Sequence, residues 1–175
     1  TIVFNKADLY DEEDMDKFLE MKEIYEKIGY GVLLTSVEKR LGLEEFKALL
    51  QGKTTLMSGQ SGVGKSSLVN AIQPQLDLRT GEISDYSGKG QHTTTFAEMF
   101  DLDFGGHLID TPGIKNLSFN NKDKANLSHS FREFFALSQN CRFNGCLHRN
   151  EPGCAVHEAL RQGEISESRF SSYLA

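Results

Sequence analysis

The sequence has few cysteines, no long apolar run and no excess of positive charge, and each shortage excludes a class of protein. Its three cysteines are an odd number and all lie between Cys141 and Cys154, which does not suit a disulfide framework. No apolar run approaches the length of a membrane-spanning helix. The formal net charge of −6 argues against a protein that coats nucleic acid nonspecifically, so any RNA contact must be local.

The N-terminal residues also lack any export signal. Residues 1–5 show no basic segment, no apolar stretch and no small-residue cleavage site. We therefore expect a cytoplasmic protein, acting as a monomer, whose clustered cysteines bind a metal. The 175 residues suit one α/β domain with a small appendage.

Short apolar runs alternate with helically spaced ones through the first two thirds of the chain. The runs predict strands at 2–4, 31–34, 55–57, 95–102 and 107–109, and helices at 11–28, 43–50 and 65–72. The polar, glycine-rich stretch 81–92 has the composition of a mobile loop. This alternation predicts an α/β P-loop domain with a mostly parallel sheet and helices on both faces.

Beyond Asn116 the pattern changes. Helical spacing predicts a helix at 128–138 and a last helix near 156–162, on either side of the cysteines. We place the boundary near residue 118, giving a nucleotide-binding domain at 1–117 and a small helical zinc domain at 118–175.

A phosphate-binding loop is predicted between the third strand and the helix that follows it. Gly59, Gly64, Lys65 and Ser66 match the pattern Gly-x4-Gly-Lys-Ser. The glycines let backbone amides surround the phosphates, Lys65 neutralises the β- and γ-phosphates, and Ser66 ligates magnesium. The residues expected to contact nucleotide here are Gly59, Gln60, Ser61, Gly62, Val63, Gly64, Lys65, Ser66 and Ser67.

Two further loops indicate that the base is guanine. Asn5, Lys6 and Asp8 fit Asn-Lys-x-Asp, in which the carboxylate accepts hydrogen bonds from guanine N1 and the 2-amino group, and the lysine stem covers the ring. Thr35 and Ser36, after the next strand, resemble the loop whose backbone amide meets guanine O6. For residues 5–8 taken alone, a polar turn after a strand is the alternative.

Two more segments are expected to sense the γ-phosphate. Asp110 and Gly113 fit Asp-x-x-Gly, with the carboxylate on magnesium through water and the glycine amide on the phosphate. Thr94, at the end of the glycine-rich stretch, offers a hydroxyl for magnesium. Such loops order around a γ-phosphate and relax on its loss.

The catalytic group is the least determined part. Ile114 occupies the position where Ras-like enzymes place the glutamine that orients water, so hydrolysis should be slow in isolation. His92 or a group supplied by a partner would complete the site. A surface histidine is an equally good interpretation of His92.

The motifs stand in rotated order, because the guanine loops precede the phosphate loop. In an ordinary GTP-binding domain, one strand lies between the strand that bears Asn-Lys-x-Asp and the strand that leads into the phosphate loop. In a rotated chain that strand comes before residue 1, so we expect this chain to begin partway through a longer protein.

A structural zinc site is predicted from Cys141, Cys146, His148 and Cys154, which form Cys-x4-Cys-x-His-x5-Cys. Three thiolates and one imidazole make a closed tetrahedral set. His157 is the alternative fourth ligand. The basic residues near the cluster either face RNA phosphates or are ordinary solvated charges; they are Arg132, Arg142, Arg149 and Arg161.

Together these motifs resemble the ribosome small subunit-dependent GTPase A (RsgA) family over nearly the whole chain. The resemblance includes Gly-Gln-His-Thr-Thr-Thr at 90–95, Asp-Thr-Pro-Gly at 110–113 and Gly-Glu-Ile-Ser-Glu-Ser-Arg at 163–169. It implies a preceding OB-fold, and GTP hydrolysis stimulated by the small (30S) ribosomal subunit, with its 16S rRNA as partner, during late maturation. It also matches His92 to the histidine that precedes the threonine run in the family. Gln91 stands where many relatives carry a basic residue.

Two rival functions remain at this stage. A rotated GTPase of the large subunit is one, although such proteins generally lack this cysteine cluster. A nucleotide-gated RNA-binding module with negligible turnover is the other, and Ile114 is compatible with it.

Overall fold

The computed structural model describes residues 1–78, 98–110 and 127–175 of the chain. The chain divides into two compact units, Thr1–Leu117 and Ser118–Ala175. Each unit has an apolar core of its own. Among the described residues, no helix has the length and apolar character needed to cross a membrane.

Strands and helices alternate through the described part of the first unit. Two short 3-10 helices, Ala7–Leu9 and Pro74–Leu76, occur within it. The strands and α-helices are β1 (Ile2–Phe4), α1 (Glu12–Lys27), β2 (Val32–Leu34), α2 (Leu43–Leu50), β3 (Thr54–Met57), α3 (Lys65–Ile72), β4 (Glu98–Asp101) and β5 (His107–Asp110).

Local chemistry fixes where these helices begin. The Asp11 side chain accepts a hydrogen bond from the Asp14 amide at 2.8 Å and so caps α1, whose first turn is acidic. Helices α2 and α3 each follow a glycine with positive φ, Gly42 at 66° and Gly64 at 92°.

The described strands form two sheets, whereas the sequence predicts one mostly parallel sheet. β1 pairs with β2 in parallel, with Phe4 opposite Leu34. In the second sheet, β5 lies between β3, to which it is parallel, and β4, to which it is antiparallel. The strand expected between β1 and β3 stays a prediction.

The core of the first unit packs α2 and α3 against β5. Leu108 of β5 is fully buried, and Leu50 and Val69 are almost so. The buried Gln73 side chain ties the end of α3 to the β4–β5 turn, since it donates to the Asp101 carbonyl at 3.2 Å and accepts from the Asp103 amide at 3.0 Å. This packing holds α3, and therefore the loop before it, against the sheet.

The second unit is helical and differs from the prediction in two places. A 3-10 helix, Leu127–Ser130, precedes α4 (Arg132–Ser138), and α5 (Ala155–Arg161) is followed by α6 (Glu167–Leu174). The single helix predicted at 128–138 was wrong, because Phe131 is extended and its ring packs 5.5 Å from that of Tyr173.

The prediction that the helix near 156–162 is the last was also wrong. Gly163, with φ of 74°, ends α5, and a new helix starts when the Ser166 hydroxyl accepts from the Arg169 amide at 3.3 Å. α6 contributes Tyr173 to the core around the fully buried Phe134. Its Arg169 forms a largely buried ion pair with Glu133 of α4 at 2.7 Å.

Candidate nucleotide and metal sites

The loop from Gly59 to Gly64 joins β3 to α3. The Lys65 ammonium group donates to the carbonyl oxygens of Gly59 and Gln60 at 2.7 and 2.9 Å, so its charge lies beside the loop. Ser66 and Ser67 fall in the first turn of α3, whose free amides and dipole favour an anion. This arrangement suits a bound phosphate chain.

The two predicted guanine loops lie side by side because β1 and β2 are parallel and in register. The Thr35 amide donates to the Phe4 carbonyl at 2.7 Å, and the Ala7 amide donates to the Thr35 carbonyl at 3.1 Å. The Thr35 hydroxyl donates to Asn5 Oδ1 at 3.0 Å. Thr35 and Ser36 are completely buried, so the second loop supports the first.

Ser36 orients Asp8 and stabilises its charged form. Its hydroxyl accepts from the Lys39 amide at 3.1 Å and donates to Asp8 Oδ1. This hydrogen bond is the main reason that the pKa of Asp8 lies below its usual value, with burial opposing it and Lys39 and Lys6 assisting. Asp8 is therefore a carboxylate with one oxygen fixed by Ser36, which leaves the other oxygen as an acceptor for a ligand.

The guanine loop and the phosphate loop meet through Asn5. Its Nδ2 donates to the Val63 carbonyl at 3.0 Å, across 58 residues of sequence. A Cβ on Gly64 would lie 2.4 Å from the same nitrogen and 3.9 Å from Lys6 Cε. A side chain at position 64 would therefore displace the Asn5 amide, and the positive φ of Gly64 favours glycine there as well.

A cleft of about 1060 Å³ lies between β1 and β3 and is lined by these strands and by the apolar Phe46, Leu49 and Leu50 of α2. Of the predicted contacts Asn5, Lys6, Ser61, Gly62, Val63 and Lys65 border it, whereas Asp8, Thr35, Ser36 and Ser66 do not. Asp110 ends β5 with its Cα opposite that of Met57, two residues before the phosphate loop. The backbone of Asp110 is thus at the edge where the motif requires it.

Three of the predicted site residues, His92, Thr94 and Gly113, lie outside the described residues, as does Ile114. Their predicted roles at the γ-phosphate and magnesium stay predictions.

The cysteine cluster in the second unit brings four potential ligand atoms together. The sulfurs of Cys141, Cys146 and Cys154 and a ring nitrogen of His148 all lie within 4.8 Å of one another. His148 Nδ1 is 3.7 Å from Cys141 Sγ and 3.4 Å from Cys154 Sγ. His157 is not in this group, because its Nε2 lies 2.7 Å from the Arg149 carbonyl oxygen, to which it donates.

The electrostatics of the cluster fit a bound cation. Burial, together with the neighbouring thiols of Cys154 and Cys141, raises the pKa of Cys146 to about 12. Burial lowers the pKa of His148, which keeps its imidazole neutral, the form that ligates metal. With so high a pKa, Cys146 is a neutral thiol until a cation binds and displaces its proton, and the set of three sulfurs and one nitrogen suits zinc.

All four arginines near the cluster are exposed. The Arg142 guanidinium lies 5.3 Å from the centre of the Phe143 ring, while Arg161 pairs with Glu158. Phe143 is 46% exposed, so an aromatic and a basic side chain lie together at the surface here. The sequence motifs did not identify Glu151, whose carboxylate binds loop amides; an acidic residue between His148 and Cys154 was the available signal.

Known proteins similar to this chain identify its family. The sequence profile of the RsgA GTPase family matches residues 1–120. A protein of Flavobacterium psychrophilum named small ribosomal subunit biogenesis GTPase RsgA is 52% identical over 99% of this chain and 53% of its own length. The protein of that name from Phocaeicola vulgatus is 49% identical over 99% of this chain and 56% of its own length.

Solved structures give the same result. YjeQ from Thermotoga maritima is 44% identical, with a TM-score of 0.81 over 98% of this chain and 56% of that structure. YloQ, described as a circularly permuted GTPase, is 36% identical, with a TM-score of 0.76 over 99% of this chain and 54% of its own. The chain spans about half the length of these relatives. With its motifs in rotated order and its family profile matched over residues 1–120, the chain belongs to the RsgA GTPase family.

Proposed function

We propose that this chain is the guanine-nucleotide-binding and zinc-binding part of a GTPase that acts in biogenesis of the small ribosomal subunit. The observation that carries the proposal is the hydrogen bond from Asn5 to Val63, because it joins a base-reading loop to a phosphate loop. The names of the relatives supply the small subunit as the place of action.

Each part of the nucleotide has a proposed partner. Asp8 accepts from guanine N1 and the 2-amino group, and the Lys6 stem covers the ring. The backbone amides of the phosphate loop and Lys65 bind the phosphates. Ser66 and Thr94 hold magnesium directly, Asp110 holds it through water, and the Gly113 amide meets the γ-phosphate.

Hydrolysis of GTP to GDP and phosphate depends on a partner in this proposal. The apolar Ile114 has no group that could orient water. His92 is proposed to take that role when the protein is bound to the small subunit, which makes the enzyme slow alone and faster on the subunit.

The second unit is the proposed contact with 16S rRNA. Cys141, Cys146, His148 and Cys154 hold one zinc ion, which stabilises the fold without entering the reaction. The exposed Arg142 and Arg149 would pair with phosphates, and Phe143 would stack on an unpaired base. The protein would act as a cytoplasmic monomer.

Asp8→Asn should change the base that is bound. An amide has lost one of the two acceptor oxygens and offers a donor, which suits the 2-oxo group of xanthine. We expect GTP affinity to fall about 100-fold and affinity for xanthosine triphosphate to rise, measured by calorimetric titration. Asp16→Asn, on the exposed face of α1, is the control and should change neither. Unchanged GTP affinity in Asp8→Asn would contradict the assignment.

Gly64→Ala should separate the two loops. Its Cβ would fall 2.4 Å from Asn5 Nδ2, so Asn5 must leave the Val63 carbonyl or the phosphate loop must move. GDP affinity should drop by roughly tenfold or more, in line with the loss of about one hydrogen bond and its geometry. Gly52→Ala is the matched control, since its φ of 68° imposes similar strain but nothing lies within 4 Å. Equal GDP affinities in Gly64→Ala and Gly52→Ala would exclude a contribution of the Asn5–Val63 contact to GDP binding.

Purified ribosomal subunits test the place of action. Small subunits should accelerate phosphate release from GTP by the full-length protein much more than large subunits do. Lys65→Ala, which removes the charge beside the phosphate loop, should abolish the stimulated rate. Equal stimulation by both subunits would favour the rival assignment to the large subunit, and no stimulation would favour an RNA-binding module with negligible turnover.

A further inference from the structure

The loop between Cys146 and Cys154 is organised around one carboxylate. Glu151 Oε1 accepts a hydrogen bond from the Leu147 amide at 2.8 Å. Oε2 accepts from the Arg149 amide at 2.8 Å and from the Asn150 amide at 3.0 Å. Both oxygens of a single side chain therefore bind the backbone of the loop that carries a metal ligand.

That ligand, His148, lies between two of the bound amides. Its φ is 52°, a left-handed conformation that is uncommon for a residue with a side chain. The ring is almost completely buried, with its centre 5.9 Å from that of Phe134. A return of His148 to an ordinary conformation would turn the flanking peptides and break the bonds from Leu147 and Arg149 to Glu151.

Leu147, the residue before His148, is also held through its carbonyl group. The Tyr173 hydroxyl donates to the Leu147 carbonyl at 2.6 Å, while the Leu147 amide donates to Glu151, so both backbone polar groups of Leu147 are bonded. Glu151 itself stays charged: burial favours its neutral form, but the hydrogen bonds from backbone amides outweigh this and lower its pKa to about 2.

We propose that Glu151 is a positioning residue for the metal ion, which holds His148 in the left-handed conformation that presents Nδ1 to the three cysteine sulfurs. This inference rests on the zinc site of the proposed function. Glu151 binds no metal itself in this account; it acts only through His148, as outer-shell partners of metal ligands do.

A double-mutant cycle in zinc affinity tests the inference. Four proteins are titrated with zinc against a chromophoric chelator: wild type, Glu151→Gln, His148→Ala and the double variant. Glutamine keeps the size of the side chain but has one acceptor oxygen, so Glu151→Gln should weaken zinc binding by about 10- to 100-fold. In the His148→Ala background the same change should cost less than about twofold, since Glu151 acts through His148.

The controls separate positioning from general stability. Glu164→Gln alters an exposed carboxylate of the same unit that has no hydrogen-bond partner among the described residues, and should bind zinc as wild type does. Should Glu151→Gln fail to fold, Glu151→Asp decides, because it keeps the charge but is one methylene too short to span all three amides. It should bind zinc about tenfold more weakly.

Two results would overturn the inference: wild-type zinc affinity in the Glu151 variant, or an equal loss with and without His148. Failure of the wild-type protein to bind one equivalent of zinc is a different result, which would remove the proposed zinc site itself.

Discussion

One hydrogen bond, from the Asn5 side chain to the Val63 carbonyl oxygen, holds the base-reading and phosphate-binding halves of the candidate nucleotide site together. Asn5 Oδ1 accepts from Thr35, so both ends of the amide are engaged. Through it the loop after β1 contacts the loop before α3. The rotated order of the motifs does not prevent this contact, because the Asn5 side chain reaches Val63 in space although 58 residues separate them in the chain.

Both units use the same device, a polar side chain that binds the backbone of a functional loop. Asn5 binds a carbonyl of the phosphate loop, and Glu151 binds three amides of the metal-ligand loop. In each case a nearby residue other than glycine has a positive φ. Lys6, next to Asn5, has φ of 65°, and His148, in the loop that Glu151 binds, has φ of 52°. Such conformations persist only where surrounding contacts hold them, and they cluster at functional sites.

The helices whose bounds were predicted correctly from the sequence are those whose limits are set by local residues. Helices 43–50 and 65–72 have the predicted bounds because each begins after a glycine. The break at Phe131 did not follow, since it depends on packing around Phe134 and Tyr173. The helix Glu167–Leu174 was missed although Gly163 and the Ser166 cap mark its start locally. The spacing of cysteine and histidine was enough to predict the metal-ligand set. Spacing carries no information, however, on a hydrogen bond between a side chain and the backbone 58 residues away, such as that of Asn5.

An NMR titration of the ¹⁵N-labelled protein with GDP tests most directly whether the three loops form one site. We expect the amide resonances of residues 5–8, 35–36 and 59–66 to shift with a common midpoint. ADP at the same concentrations should leave the resonances of residues 5–8 in place. Movement of 59–66 alone, or identical changes with ADP, would contradict it.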